Sequence, residues 1–150
     1  MIKRILIILP AILLASCEVT VDDTADIEYL QLPGTEEMGL PFSSAVRVDK
    51  LLFLSGAIGL DRETGQIVAG GIQAETRKTL ENISQVAEAF GSSMDKVVKC
   101  TVFLADMAEW PAMNEVYRTF FPNKPARSAL GASGLALDAR VEIECIAVID

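Results

Sequence analysis

Arg127, in the run Pro125-Ala126-Arg127-Ser128, and Glu142, in Val141-Glu142-Ile143-Glu144, are the charged residues best placed to do chemistry. Each sits among apolar and small neighbours, where a charge without a partner is costly. An arginine offers a planar fork of donors that takes a carboxylate in bidentate fashion. A glutamate nearby can hold or activate a water. The 150 residues contain no histidine, so Ser-His triads, Cys-His dyads and most zinc sites are excluded. From the residues alone a second role stays open, with Arg127 as a salt-bridge partner of Glu142 or Glu144 between subunits. Alternation along a strand puts Glu142 and Glu144 on one face, so one can serve a site while the other is structural.

The elements that must carry these residues follow from periodicity. Residues 27–32 (IEYLQL) predict a first strand, closed by Pro33-Gly34. Residues 45–48 and 51–56 predict a hairpin turning at Asp49-Lys50, and residues 61–65 a loop rich in turn formers. From 72 to 90, Ile72, Thr76, Leu80, Ile83, Ala87 and Phe90 recur at helical steps. Glu75, Lys78, Glu81, Gln85 and Glu88 then take the wet side, and Gly91 stops the helix. Residues 97–104 (VVKCTVFL) predict a buried strand. A second helix follows over 108–121, with Pro111 in its first turn and Trp110, Met113, Val116, Tyr117, Phe120 and Phe121 packing. Strands over 127–132 and 141–149 close the chain.

That order, β-β-β-α-β-α-β-β, predicts an α+β domain with two helices on one face of a sheet. Residues 141–149 are apolar on both parities, so both faces of that strand should be covered. The helices cover only one, and another copy of the chain is the simplest cover for the second. Cys100 and Cys145 lie in apolar strands and are expected to behave as small buried hydrophobes; export to an oxidising compartment would permit a disulfide, but their strands need not be neighbours and no bond is expected.

Composition narrows the function. A hydrophobic content of 51% suffices for a core, and the formal charge is −8. Residues 1–16 hold Lys3 and Arg4 but no acidic group, so without them the charge is −10. Nucleic acid, which needs clustered Lys and Arg, is a poor fit as partner or substrate.

The first residues read as an address. Lys3-Arg4, an apolar run over 5–14 and Leu14-Ala15-Ser16 before Cys17 have the order of a cleaved signal peptide. The run is too short to span a bilayer, which takes ~20 residues. Leu14-Ala15-Ser16-Cys17 resembles the lipobox of bacterial lipoproteins. That resemblance implies a signal peptide over 1–16, lipidation of Cys17 and a membrane anchor of several acyl chains. Glu18 after the cysteine implies the periplasmic face of the outer membrane. Residues 17–26 form an acidic tether, and 27–150 the domain.

Residues 97–107 (VVKCTVFLADM), Asn114-Glu115-Val116-Tyr117, Pro125-Ala126-Arg127-Ser128, Val141-Glu142-Ile143 and Leu52-Phe53-Leu54-Ser55-Gly56 together resemble the RidA (YjgF-type) family. The resemblance spans about residues 27–149. It implies a chorismate-mutase-like fold, a homotrimer with a central barrel, and ligand clefts between subunits. It implies hydrolysis of 2-imino acids, formed from enamines such as 2-aminoacrylate, to 2-oxo acids and ammonia, with no metal or organic cofactor. Arg127 would grip the carboxylate and Glu142 hold the water, while Ser55, Gly56, Asn114, Ala129 and Phe42 would line the cleft. Two departures stand out. Phe42 occupies a place where many active members have tyrosine, and Ala129 one where some have cysteine. A module that binds small carboxylates without turnover is the alternative, and export itself separates the chain from cytoplasmic sources of enamines.

Overall fold

Hydrogen-bonded pairing joins strands far apart in the chain into one six-stranded sheet in the computed structural model, which describes residues 24–35 and 39–149. The expected signal peptide, Cys17 and residues 18–23 of the tether lie outside the described residues. The strands are β1 (Ile27–Leu30), β2 (Ala45–Val48), β3 (Leu51–Ile58), β6 (Val97–Leu104), β7 (Ala126–Gly131) and β8 (Val141–Val148), in the spatial order β1-β2-β3-β8-β6-β7. A small hairpin of β4 (Leu60–Asp61) and β5 (Gln66–Ile67) occupies the predicted loop. Helix α1 (Gly71–Ala89) leads to β6, and α2 (Trp110–Phe120) joins β6 to β7.

All pairs are antiparallel except β6 with β7. A parallel pair needs a crossover too long for a tight turn, and α2 is that crossover. Pro111 stands in the first turn of α2, where its missing N–H costs no helical bond. Helix α1 ends where predicted: Ser92 N–H reaches Ala87 O at 2.8 Å and Gly91 N–H reaches Glu88 O at 3.3 Å. Gly91 has φ +82°, which a glycine adopts without penalty.

Both helices lie on one face of the sheet. Leu52, Leu54, Val102, Leu104, Ile143 and Ala147 point towards them and are buried with Leu80, Ile83 and Met113. The other parity of β8, Glu142, Glu144, Ile146 and Val148, is half-buried or exposed. Within one chain, therefore, the expected cover on both faces of this strand is met on one face only. Ile27, Tyr29, Leu51 and Phe53 share the uncovered face by strand register and stand 40–75% exposed. Trp110, expected to pack, is 42% exposed at the start of α2.

Cys100 and Cys145 correct the expectation of unbonded cysteines. Their strands are direct neighbours, the two residues face each other in register, and a disulfide joins them with Cα atoms 4.1 Å apart. Sequence alone could not pair β6 with β8, since the contact spans 45 positions.

Candidate functional site

Residue Arg127 faces the helices. Its register partner across the parallel pair is Cys100, a core residue, and partners in register share a face of the sheet. The guanidinium lies 4.6 Å over the ring of Tyr117, and its Nη1 donates to Asn114 Oδ1 at 2.6 Å. Asn114 and Tyr117 are three positions apart on α2, hence on one face of that helix. A stacked ring and a side-chain acceptor hold the fork at two points, which spares much of the rotamer entropy an arginine otherwise loses on binding. Among the described residues, Asn114 is the only hydrogen-bond partner of the Arg127 guanidinium. No ion pair joins Arg127 to Glu142 or Glu144 within the chain, and the alternative of a salt bridge between subunits stays open. Burial pushes the Tyr117 phenol up to about 12 against the opposing charge of Arg127, so the ring stays neutral.

Glu142 belongs to the other half. It pairs with Ile58 on β3 and Phe103 on β6, on the face without helices. Register slips between Leu54 and Ala57, so Ser55-Gly56 forms a bulge within β3 beside it. The carboxylate rests over Gly56: a Cβ there would sit 3.1 Å from Glu142 Cδ and closer still to Oε1. Burial, then the charge of Glu144, holds the Glu142 carboxyl above its ordinary value. No donor bonds to this carboxylate among the described residues, which leaves it open to a water.

The remaining expected residues divide between the two halves. Ser55 Oγ donates to Ser43 O at 2.7 Å and Ser55 N–H to Ser44 O at 3.2 Å. Those bonds press the loop that carries Phe42, itself 52% exposed, against the bulge. Asn114 holds Arg127, and half-buried Ala129 pairs with Val102 on the helix side, beside Arg127.

Arg127 and Glu142 thus lie on opposite faces of one sheet, with β6 between their strands. A site that uses both must draw them from two chains. Arg127 lies on the edge strand β7 and Glu142 on the uncovered face, so both are open to a neighbour. A hollow of about 140 Å³ on that face is lined by Phe53, Lys99, Thr101, Glu144 and Ile146. A wider groove between α1 and α2, about 470 Å³, holds none of the expected residues.

One important residue escaped the sequence reading. Glu75, expected on the wet side of α1, is 5% exposed, and its Oε2 accepts from Arg140 N–H at 2.7 Å. The available signal was spacing: Glu75 lies three residues after buried Ile72 and four before buried Thr79, within the inward arc.

The family model described as Endoribonuclease L-PSP matches residues 36–149. The chain belongs to this family, which includes the RidA proteins. A mouse protein named 2-iminobutanoate/2-iminopropanoate deaminase is 44% identical over 109 residues, which is 72% of this chain and 81% of that protein. Among solved structures, E. coli TdcF with bound serine matches with TM-score 0.70 and 32% identity, over 81% of this chain and 94% of TdcF. The E. coli YjgF gene product matches with TM-score 0.69 and 31% identity, over 80% and 92%. The α+β architecture with a mixed sheet and two helices is the YjgF/L-PSP fold.

Proposed function

We propose that the protein hydrolyses 2-imino acids to 2-oxo acids and ammonia in clefts shared by neighbouring chains of a homotrimer. The observation that carries this reading is the Arg127 guanidinium, stacked on Tyr117 and tied to Asn114 with the rest of its fork open. The name of the mouse relative and the serine held by TdcF support it. The apolar, helix-free face of the sheet supports a partner of the same kind.

In this mechanism Arg127 takes the substrate carboxylate in bidentate fashion and fixes C2. Glu142 of the neighbouring chain receives a proton as its water adds to C2 of the iminium. The resulting carbinolamine takes that proton on nitrogen, and Glu142 then takes the hydroxyl proton as the C–N bond breaks, so that ammonia leaves as the carbonyl forms. A carboxyl held above its ordinary value is a better proton acceptor than a free carboxylate, which suits a group that must accept and return a proton. Phe42 lends no hydroxyl to this cleft, which favours the non-catalytic carboxylate-binding module as the second reading.

Export is part of the same proposal: residues 1–16 as signal peptide, Cys17 lipidated, the domain held at the periplasmic face of the outer membrane. The Cys100–Cys145 disulfide supports it, because such bonds persist in oxidising compartments. Palmitate labelling lost in Cys17→Ala is the expected result, and labelling that persists refutes the anchor.

A mixing experiment tests the shared cleft. Arg127→Ala and Glu142→Gln chains should each lose most of their ammonia release from imines made in situ by an amino-acid oxidase. Refolded together in equal amounts, they should recover about a quarter of wild-type turnover, since about three random trimers in four carry one complete cleft among their three. Recovery of nothing overturns the two-chain site, and binding of 2-oxo acids by the wild type without turnover favours the module.

A further inference from the structure

We propose that Glu75 is a positioning residue for Glu142, acting through the backbone at the entry of β8. This rests on Glu142 being the group that holds the water. Glu75 stands on α1, buried among Ile72, Thr76 and Thr79. Burying a carboxylate costs free energy unless its oxygens are used. One oxygen accepts the Arg140 N–H at 2.7 Å, and the other lies 3.6 Å from Arg140 Nε. The Arg140 carbonyl is held in turn by Ala105 N–H at 3.0 Å. The peptide groups two positions before Glu142 are therefore pinned from the helix on one side and from the end of β6 on the other.

The need for such an anchor is visible in the chain just upstream. Leu137 and Asp138 have φ of +56° and +55°, a left-handed conformation that side chains resist. A loop arriving under that strain would relax by shifting its last residues, and a shift at Arg140 turns the Glu142 side chain. Helix α1 also grips the opposite flank. Asn82 Nδ2 donates to Ile58 O at 3.0 Å and to Leu60 O at 2.9 Å, and Ile58 is the register partner of Glu142. Gly59 packs so closely that a Cβ would lie 2.9 Å from Glu75 Cα. Helix α1 is thus the mount for the entry of β8 and for the end of β3 beside Glu142, while Arg127 is set by α2.

That division gives the test. Ammonia release and calorimetric binding of 2-oxobutanoate are measured on the whole protein. Glu75→Leu should lower kcat about tenfold or more, with KM and the 2-oxobutanoate Kd within about twofold of wild type. Glu75→Gln, whose amide oxygen still accepts from Arg140 N–H, should restore most of kcat. Gly59→Ala, which forces α1 away from the strand end, should reproduce the kcat loss, and it carries the test if Glu75→Leu does not fold. Equal loss of kcat and of carboxylate binding would show a purely structural role and overturn the proposal. So would full kcat in Glu75→Leu or Gly59→Ala. Full turnover in Glu142→Gln would instead sink the reading on which the proposal stands.

Discussion

Gly56→Ala should disable the water-holding half of the site while leaving the fold almost untouched. The added Cβ would stand 3.1 Å from Glu142 Cδ, whereas carbon atoms settle at about 3.5–4.0 Å. The carboxylate must therefore retreat by roughly 0.5–1 Å, and an error of that size at a reacting group costs up to about 100-fold in rate. The atom displaced is the end of a flexible side chain, and Gly56 itself is exposed with no left-handed φ. Stability should accordingly change by no more than about 1 kcal/mol. Steady-state ammonia release and chemical denaturation measure the two quantities. The expected result is a ten- to hundredfold fall in kcat, larger than any change in the Kd for 2-oxobutanoate. In a Glu142→Ala background, the same substitution should cost nothing further, since the two residues then no longer meet. Unchanged kcat in Gly56→Ala, or a full additional loss in the double variant, would refute the placement of the carboxylate over the bulge.

The raised Glu142 carboxyl and the disulfide each have a measurable consequence. The folded chain keeps the Glu142 proton to a higher pH than the unfolded chain, whose value is near the ordinary 4.5. Stability is therefore greatest below that pH and declines as pH rises through the raised folded value. Glu142→Gln should flatten that decline in a series of denaturation curves, and Glu144→Gln should move the acid limb of kcat/KM to lower pH; neither change appearing would place the titration elsewhere. Reduction of Cys100–Cys145, which spans 45 positions, should lower stability by about 2–4 kcal/mol. Denaturation with and without reductant reads this directly, and identical curves would refute a stabilising bond.

Periodicity and turn chemistry were enough to place the six strands of the main sheet and both helices, though not the β4–β5 hairpin, because backbone preference and one-sided burial act within a few residues. Residues 97–104 and 45–48 form strands as read, and Gly91 ends α1 by the bonds its type allows. Arg127 and Glu142 were also legible as chemical groups, since their neighbours are apolar and the chain has no histidine. The motif around them gave the family. Partners across long separations were not legible. The pairing of β6 with β8 made Cys100 and Cys145 a disulfide, and the order of β7, β6 and β8 put the arginine and the glutamate on opposite faces. Glu75 looked like a solvated charge until a backbone N–H from 65 positions away met it in the core. Local sequence sets which conformations a segment prefers. Which face a side chain shares, and with whom, depends on contacts that close only when distant strands pack together.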